Sequence, residues 1–414
     1  MIYISELIIL IVVFISLYFV VFWLIVFFEQ ENFSSRRKIL RRKPIVSIAI
    51  PVYNEEDTIT STLQSVLNLN YPQKKLEIIV VNDGSTDKTE QRVLDMKKKN
   101  NFIKLISHKN IGKGASLNRA LKVAKGKFFV CLDADSYVHK DALLHLLPHF
   151  KDRKVACSLP LMKSKKPLNL LQKMQFTEYL VNIFYKKIMG FLHCIPVAPG
   201  PFSVFRKNVL IKLDGYEEDN LTEDLEMTLR LQKHNYKIIQ DMKAEVYTTT
   251  PLNLKSFFKQ RKRWYKGGFF NALKYKKMMF NPKYGDFGIM QLPLLIISGM
   301  IGISTVLVTL YTSLKPHVKN LLNLRLVDFD IWTFIQNIRF NFNILDLNFA
   351  NLIVFLIMFS ISILILNLSY KLTRENISKY GRTHIIFFLF FYFFMLGISW
   401  ILLFPELFQK KQEW

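Results

Sequence analysis

The sequence predicts an α/β protein, a doubly wound and mostly parallel sheet flanked by transmembrane helices. One span precedes the sheet and about three follow it, with interfacial amphipathic helices between. Three observations carry that expectation. Short apolar runs alternate with helix-period segments between residues 45 and 132, which is the pattern of strands joined by crossover helices. Four segments, 7–28, 287–314, 347–370 and 383–405, contain no Lys, Arg, Asp or Glu, and about 20 apolar residues suffice to cross a bilayer. The residues that follow the strand-like runs are polar and often acidic, and open α/β sheets bind ligands at the carboxyl ends of their strands.

The first span, 7–28, is too long for a signal-peptide core and lacks a small-residue cleavage site, so it is expected to stay in place. A basic collar follows at residues 34–43. The first strand, 45–52, is β-branched and ends in Pro51-Val-Tyr-Asn-Glu55. A helix pattern over 57–69 has Asp57 or Thr58 as its N-cap. The second strand, 76–81, runs into Asn82-Asp-Gly-Ser-Thr-Asp87, which is turn chemistry followed by a helix to about residue 99. A third strand at 103–107 precedes a helix over 112–124 that opens with Gly112, Lys113 and Gly114. The fourth strand, Phe128-Phe-Val-Cys-Leu132, meets Asp133 and Asp135. Two carboxylates at i, i+2 suit a divalent cation; an acidic turn after a strand is the other reading of the same residues. In a parallel sheet Asn54, Glu55, Asp83, Asp133 and Asp135 share one edge.

Beyond residue 150 the pattern is less regular. Residues 167–190 have mixed polarity suited to the membrane interface. A turn-rich segment around Pro199, Gly200 and Pro201 leads into another strand. Thr222-Glu-Asp224 reads locally as a helix N-terminus, with Thr222 as cap and Glu223 and Asp224 complementing the dipole. The basic, aromatic stretch 254–279 reads as an amphipathic helix on the membrane surface.

Charge and cysteine usage set the compartment. Net charge is +25, and residues 29–286 alone carry 47 Lys and Arg against 25 Asp and Glu. Positive loops stay cytoplasmic, so this segment and the basic loop 371–382 are expected inside and both termini outside. A basic domain also suits nucleic acid, but one flanked by spans and facing anionic lipid explains the charge directly; the expected partners are the lipid bilayer and no nucleic acid. Cys131, Cys157 and Cys194 have no paired spacing and read as buried thiols in a reducing compartment. The resulting partition is a transmembrane helix at 1–28, a cytoplasmic domain at 29–253, interfacial helices at 254–286, spans at 287–314, 347–370 and 383–405, an extracytoplasmic loop at 315–346, a cytoplasmic loop at 371–382 and a tail at 406–414.

In order along the chain, Pro51-Val-Tyr-Asn-Glu55, Asn82-Asp-Gly-Ser85, Asp133-Ala-Asp135, Thr222-Glu-Asp224 and Gln260-Arg-Lys-Arg-Trp264 resemble the membrane-embedded processive family 2 glycosyltransferases, the synthases of cellulose, chitin, hyaluronan and poly-N-acetylglucosamine. The last motif matches Q-x-x-R-W without change, and the resemblance covers about residues 45–280. It implies a GT-A-like fold and an inverting transfer from a UDP-sugar, of the UDP-GlcNAc or UDP-glucose class, onto a β-linked polysaccharide that is passed across the membrane. The alternative it leaves is transfer of a single sugar to a membrane lipid. By this resemblance Pro51, Tyr53, Asn54, Glu55 and Asp83 would hold the nucleotide, and Lys113 would approach it. Asp133 and Asp135 would flank the diphosphate, binding Mg²⁺ or Mn²⁺ chiefly through Asp135. Gly200 would line the acceptor path. Asp224 would be the catalytic base, with Glu223 beside it as a catalytic and acceptor-binding residue, and Gln260, Arg263 and Trp264 would bind diphosphate and acceptor sugar. An accessory membrane subunit or a homo-oligomer is compatible with three spans after the domain. Asn82 stands where relatives often carry a second Asp, and Pro199 where many carry a small polar residue.

Overall fold

The computed structural model describes residues 4–31, 42–323 and 349–408. Residues 34–41 of the basic collar, most of the 315–346 loop and the end of the tail lie outside the described residues. Helix α1 (Ile4–Glu31) leads into an α/β unit. Its elements are β1 (Val46–Val52), α2 (Ile59–Leu67), β2 (Leu76–Asn82), α3 (Thr89–Lys99), β3 (Ile103–Ser107), α4 (Lys113–Val123) and β4 (Phe128–Cys131). Next come β5 (Tyr137–Val138), α5 (Ala142–Leu146), β6 (Val155–Ser164), α6 (Leu170–Phe191), β7 (Ser203–Arg206), α7 (Lys207–Lys212), α8 (Glu223–Lys233) and β8 (Lys237–Thr248).

The eight strands form one sheet in the order β3-β2-β1-β4-β7-β6-β8-β5. β1 pairs in parallel with β2 and β4, and β2 with β3. β7 is antiparallel to both β4 and β6, and β8 is parallel to β6. The two reversals at β7 cancel. β1, β2, β3, β4, β6 and β8 therefore all end on the same edge of the sheet.

Period-2 alternation sends Ile48, Ile50, Val80 and Val130 to a core on one face, with α2 and α5. Ala49, Ile79, Val81 and Cys131 go to the other, with Leu117 and Leu121 of α4 and Met227 and Leu231 of α8. The sheet is thus covered on both faces, as parallel strands require. All three cysteines are buried free thiols.

Helix α9 (Leu254–Lys274) begins with Asn253, whose side chain accepts from the Ser256 N–H at 2.9 Å. Helix α6 begins the same way, with Asn169 accepting from Gln172 N–H at 2.9 Å. The Asn169 amide also donates to the Leu252 carbonyl at 2.8 Å, so the two starts are tied together. Among the described residues four helices are long and apolar enough to cross a membrane: Leu10–Gln30, Phe287–Thr312, Leu352–Thr373 and Thr383–Leu407. The second continues as α10 (Leu292–Asn323). Contrary to a simple interfacial helix, α6 is largely buried: Phe176, Leu180 and Ile183 pack with Leu161 of β6 and with Leu366 and Tyr370 of the third span. A buried ammonium, Lys163 of β6, reaches Glu245 at 2.9 Å and Glu375 at 3.1 Å, fastening the sheet to the 371–382 loop.

Candidate active site

The carboxyl edge of the sheet gathers the site. After β1, Asn54 adopts φ +53°, a left-handed conformation that Asn tolerates better than most residues. Its N–H donates to Ser85 Oγ at 3.0 Å and its Oδ1 accepts from Thr86 N–H at 2.8 Å, which latches the β1 loop to the β2 loop. The next N–H, of Glu55, donates to Thr89 Oγ1 at 2.8 Å. Thr58 occupies the N-cap of α2 without capping it; its hydroxyl donates to the Glu55 carboxylate instead. Burial pushes the Glu55 carboxyl up, helped by the charges of Asp135 and Asp133 and opposed by the Thr58 hydroxyl. Tyr53 is half exposed on the same loop, and Pro51 lies in β1.

Asp83, at the end of β2, is buried and faces the loop that enters α4. Its two oxygens accept from the Ile111 and Gly112 N–H groups at 2.8 and 3.0 Å, and His108 Nδ1 lies 3.3 Å away. Gly112 has φ +91°, which only glycine adopts readily. That bend delivers Lys113 to the site.

Lys113 does not project outward. Its Nζ sits 2.7 Å from Asp133 Oδ1 and 3.0 Å from Glu223 Oε1, bridging the end of β4 to the start of α8. The buried Asp133 Oδ1 accepts no well-directed hydrogen bond, so this contact is an ion pair. Burial alone would lower the Lys113 pKa, but the charges of Asp133 and Glu223 outweigh it and hold the ammonium well above its ordinary value. Gly200 lies against this pair: a Cβ there would meet Asp133 Oδ1 at 2.5 Å and Lys113 Nζ at 2.7 Å. Gly200 therefore backs the Asp133 carboxylate directly.

Asp135 Oδ1 accepts from Ser136 Oγ at 3.1 Å and, weakly, from Thr248 Oγ1 at 3.4 Å. Burial raises its carboxyl pKa and the Asp133 charge raises it further, against Ser136, Lys165 and Lys113. Two like charges pressed together fit a divalent cation, which would relieve their repulsion. Among the described residues no three His, Cys, Asp or Glu are arranged to hold a metal. A cation at Asp133 and Asp135 would thus draw its other ligands from substrate and water, as Mg²⁺-class sites usually do.

Thr222 precedes α8 but does not cap it through its side chain. Its hydroxyl accepts from the Asn271 amide of α9 at 3.0 Å instead, so the residue holds two helices together. Glu223 is buried and Asp224 partly so. Burial lifts Asp224 to about 6, the Glu223 charge adds to the shift, and Lys113 and the Leu225 N–H moderate it. Asp224 is thus poised to take a proton near neutral pH. Lys186 of α6, lowered to about 8 by burial, feels the Asp224 charge in turn.

Helix α9 closes the site from the membrane side. Gly267 is packed so closely on the Thr222 side chain that a Cβ has no room, whereas Gly268 meets only Leu225 Cδ2, at 3.9 Å. Trp264 stands one turn before this contact. Arg263 is exposed, and Gln260 Oε1 is buried without a hydrogen-bond partner. Neither makes a hydrogen bond or ion pair to the acidic edge.

Sequence reasoning missed what holds Trp264. Arg261 is 3% exposed and bonds Glu178 of α6 through both fork nitrogens, at 2.8 and 2.5 Å. Its guanidinium lies 4.6 Å from the Trp264 ring centroid and 4.9 Å from that of Phe257. The Tyr392 hydroxyl donates to Glu178 at 2.7 Å. Tyr392 ends a π-helical turn, Phe388–Tyr392, in the fourth span. The available signal was Glu178 itself, the one acid among residues 167–190. Lys165, whose Nζ donates to the Asp135 carbonyl at 2.8 Å, was also missed.

A mixed sheet with acidic residues along its carboxyl edge, carried on four apolar helices, defines a membrane protein of GT-A-like fold. The model of the family described as "Glycosyl transferase family 2" matches residues 47–214. The chain is 31% identical over 282 residues to the poly-beta-1,6-N-acetyl-D-glucosamine synthase of Staphylococcus aureus strain MSSA476, covering 64% of this chain and 67% of that one. It is 30% identical over 279 residues to the synthase of the same name from Staphylococcus epidermidis, with the same coverage. A mannosyltransferase from Pyrobaculum calidifontis, solved with GDP-Man and Mn²⁺, shares the fold at a TM-score of 0.55 and 20% identity, over 72% of this chain and 79% of that one. The chain belongs to glycosyl transferase family 2.

Proposed function

We propose that the chain is an inverting, UDP-sugar-dependent transferase that extends a β-linked polysaccharide at the cytoplasmic membrane face and passes it across the membrane. Similarity to the staphylococcal synthases favours N-acetylglucosamine over glucose as the sugar. The observation that carries the reading is the Lys113 bridge. One ammonium joins Asp133, on the edge suited to a donor, to Glu223, next to a carboxyl whose pKa is about 6. Donor site and base are thereby parts of one cluster.

In this reading Pro51, Tyr53, Asn54 and Glu55 hold the nucleotide, and Asp83 acts by bracing the 110–112 loop that presents Lys113. Asp133 and Asp135 would hold Mg²⁺ or Mn²⁺, which when bound neutralises charge on the departing diphosphate. Asp224 takes the proton from the acceptor hydroxyl as that oxygen bonds to the anomeric carbon and the bond to UDP breaks. A single displacement of this kind inverts the carbon, and a positioned base contributes typically 10²–10⁴-fold to rate. Gly200 keeps the Asp133 side of the path narrow. Trp264 offers a flat ring with an N–H handle for the acceptor sugar, and Gln260 and Arg263 lie on the same helix to meet phosphate and sugar oxygens. The exposed apolar faces of the spans suit lipid, an accessory membrane subunit or a second copy.

The test is a panel of UDP-sugars given to membranes carrying the chain, reading UDP release and product size. High-mass material that hydrolyses to one sugar is expected, EDTA should stop its formation, and Mg²⁺ or Mn²⁺ should restore it. Label confined to a chloroform-soluble lipid would sink the polymer reading, and full activity in chelator would remove the metal.

A further inference from the structure

We propose that Lys165 is a donor-binding residue that contacts the diphosphate of the UDP-sugar. The proposal rests on the functional reading above and extends it to a strand end that the sequence motifs do not mark.

Topology places Lys165 at the site. β6 ends at Ser164, which pairs in parallel register with Thr248 of β8. Because β7 is antiparallel to both β4 and β6, β6 runs in the same direction as β4. The residue after β6 therefore lies on the edge that carries Glu55, Asp133 and Asp135. Its ammonium donates to the Asp135 carbonyl at 2.8 Å. Thr248 Oγ1 approaches the carboxylate of the same residue at 3.4 Å. The ends of β6 and β8 thus complete the wall around Asp135.

The partners of the two lysines separate Lys165 from Lys113. Lys113 is committed to two carboxylates at 2.7 and 3.0 Å. Lys165 instead gives its hydrogen bond to a neutral carbonyl and makes no ion pair among the described residues, although it lies within the field of Asp135 and Glu55. A UDP diphosphate brings at least two negative charges to this edge. An ammonium on this edge that is not already matched by a carboxylate is the group available to meet a phosphate oxygen. Lys165 is half-buried, whereas its neighbour Lys166 is exposed.

Equilibrium binding of UDP and of uridine to the detergent-solubilised full chain, with Mn²⁺ present, tests this. Uridine shares the base and ribose but has no phosphate. Lys165→Met should weaken UDP binding about ten- to a hundredfold, the scale of a hydrogen bond to a charged group, and change uridine binding less than about threefold. Lys165→Arg should keep most of the UDP affinity, and Lys166→Met should match wild type. Equal losses for UDP and uridine would mean that Lys165 acts only through the fold, and unchanged UDP binding in Lys165→Met would remove it from the site; either result overturns the proposal. Wild-type chain that binds neither ligand would overturn the UDP-sugar reading itself, so the two failures are distinguishable.

Discussion

Replacing Asp224 by Asn should cost activity while raising stability, and that opposite pairing distinguishes a base from a structural acid. The folded carboxyl sits at about 6, against roughly 3.9 for an unperturbed Asp. Between those values the folded chain binds more protons than the unfolded one, so stability falls as pH rises through the window from about 4 to 6. At pH 7.5 the whole cost is present. Two pK units correspond to roughly 3 kcal/mol at 1.36 kcal/mol per unit; because Glu223 shares the repulsion, about 1–3 kcal/mol is the range to expect. Asn keeps an oxygen for the Leu225 N–H, which Asp224 Oδ1 accepts at 2.8 Å, and removes the charge. The variant should therefore melt higher than wild type at pH 7.5, and the difference should shrink towards zero by about pH 4. Sugar transfer should fall 10²–10⁴-fold while UDP binding stays within a fewfold of wild type. Thermal unfolding in detergent across pH, run beside UDP release, reads both effects. A lower melting temperature at pH 7.5, or activity within tenfold of wild type, would refute the assignment.

In wild type, kcat/KM should rise with pH through about 6 and level off above it, since Asp224 must be ionised to accept a proton; a flat profile from pH 5 to 7.5 would argue against this base. Gly267→Ala should cost about 1–3 kcal/mol by overpacking and cut kcat more than it changes KM for the donor, because the new methyl displaces Thr222. The adjacent Gly268→Ala, where the nearest atom is at 3.9 Å, should be tolerated in the same assays. Glu178→Gln should destabilise the chain by about 3–5 kcal/mol, since it leaves Arg261 charged and buried. A paired change of Arg261 and Glu178 to Met should recover most of that stability but not acceptor KM, if the pair positions Trp264.

Much of the proposed donor edge is legible in the sequence because its signals are local. Strand periodicity and turn residues follow each other four times before residue 136, and each strand end names its own polar residue. The spans are legible for the same reason, as unbroken runs free of charge. What escapes is whatever depends on pairing between distant segments. Lys165 joins the edge only because β7 inserts antiparallel between β4 and β6, a neighbour relation that no local pattern encodes. Glu178, Arg261 and Tyr392 meet across 83 and 131 residues of chain. Thr222 shows how a local rule can mislead. Its position and residue type both favour a cap, yet its hydroxyl accepts from Asn271, because bridging two packed helices outweighs one helix-end bond that a neighbouring acid or water can replace.

Asp224, the proposed base, opens a helix that belongs to two cores at once. Met227 and Leu231 of α8 are buried with the sheet residues Ala49, Ile79 and Cys131. Leu225 and Leu229, offset by two positions and hence on the opposite face, are buried with Trp23 and Phe27 of the first span, Phe184 of α6, Tyr275 of α9 and Leu292 of the second span. Full burial of each such side chain is worth about 1.5–3 kcal/mol, so neither face of α8 is dispensable. The membrane helices are therefore structural partners of α8 and the acidic sheet edge rather than a tether for them. The same logic holds at the other wall of the site, where the fourth span fixes Trp264 through Tyr392, Glu178 and Arg261. In the proposed reading the sheet would supply the donor side through its strand ends, and the spans would fix the acceptor side through α8 and α9. Lys113 pairs with Asp133 at the sheet edge and with Glu223 on α8, so in the proposed reading a shift of α8 against the sheet would change the distance between donor and base.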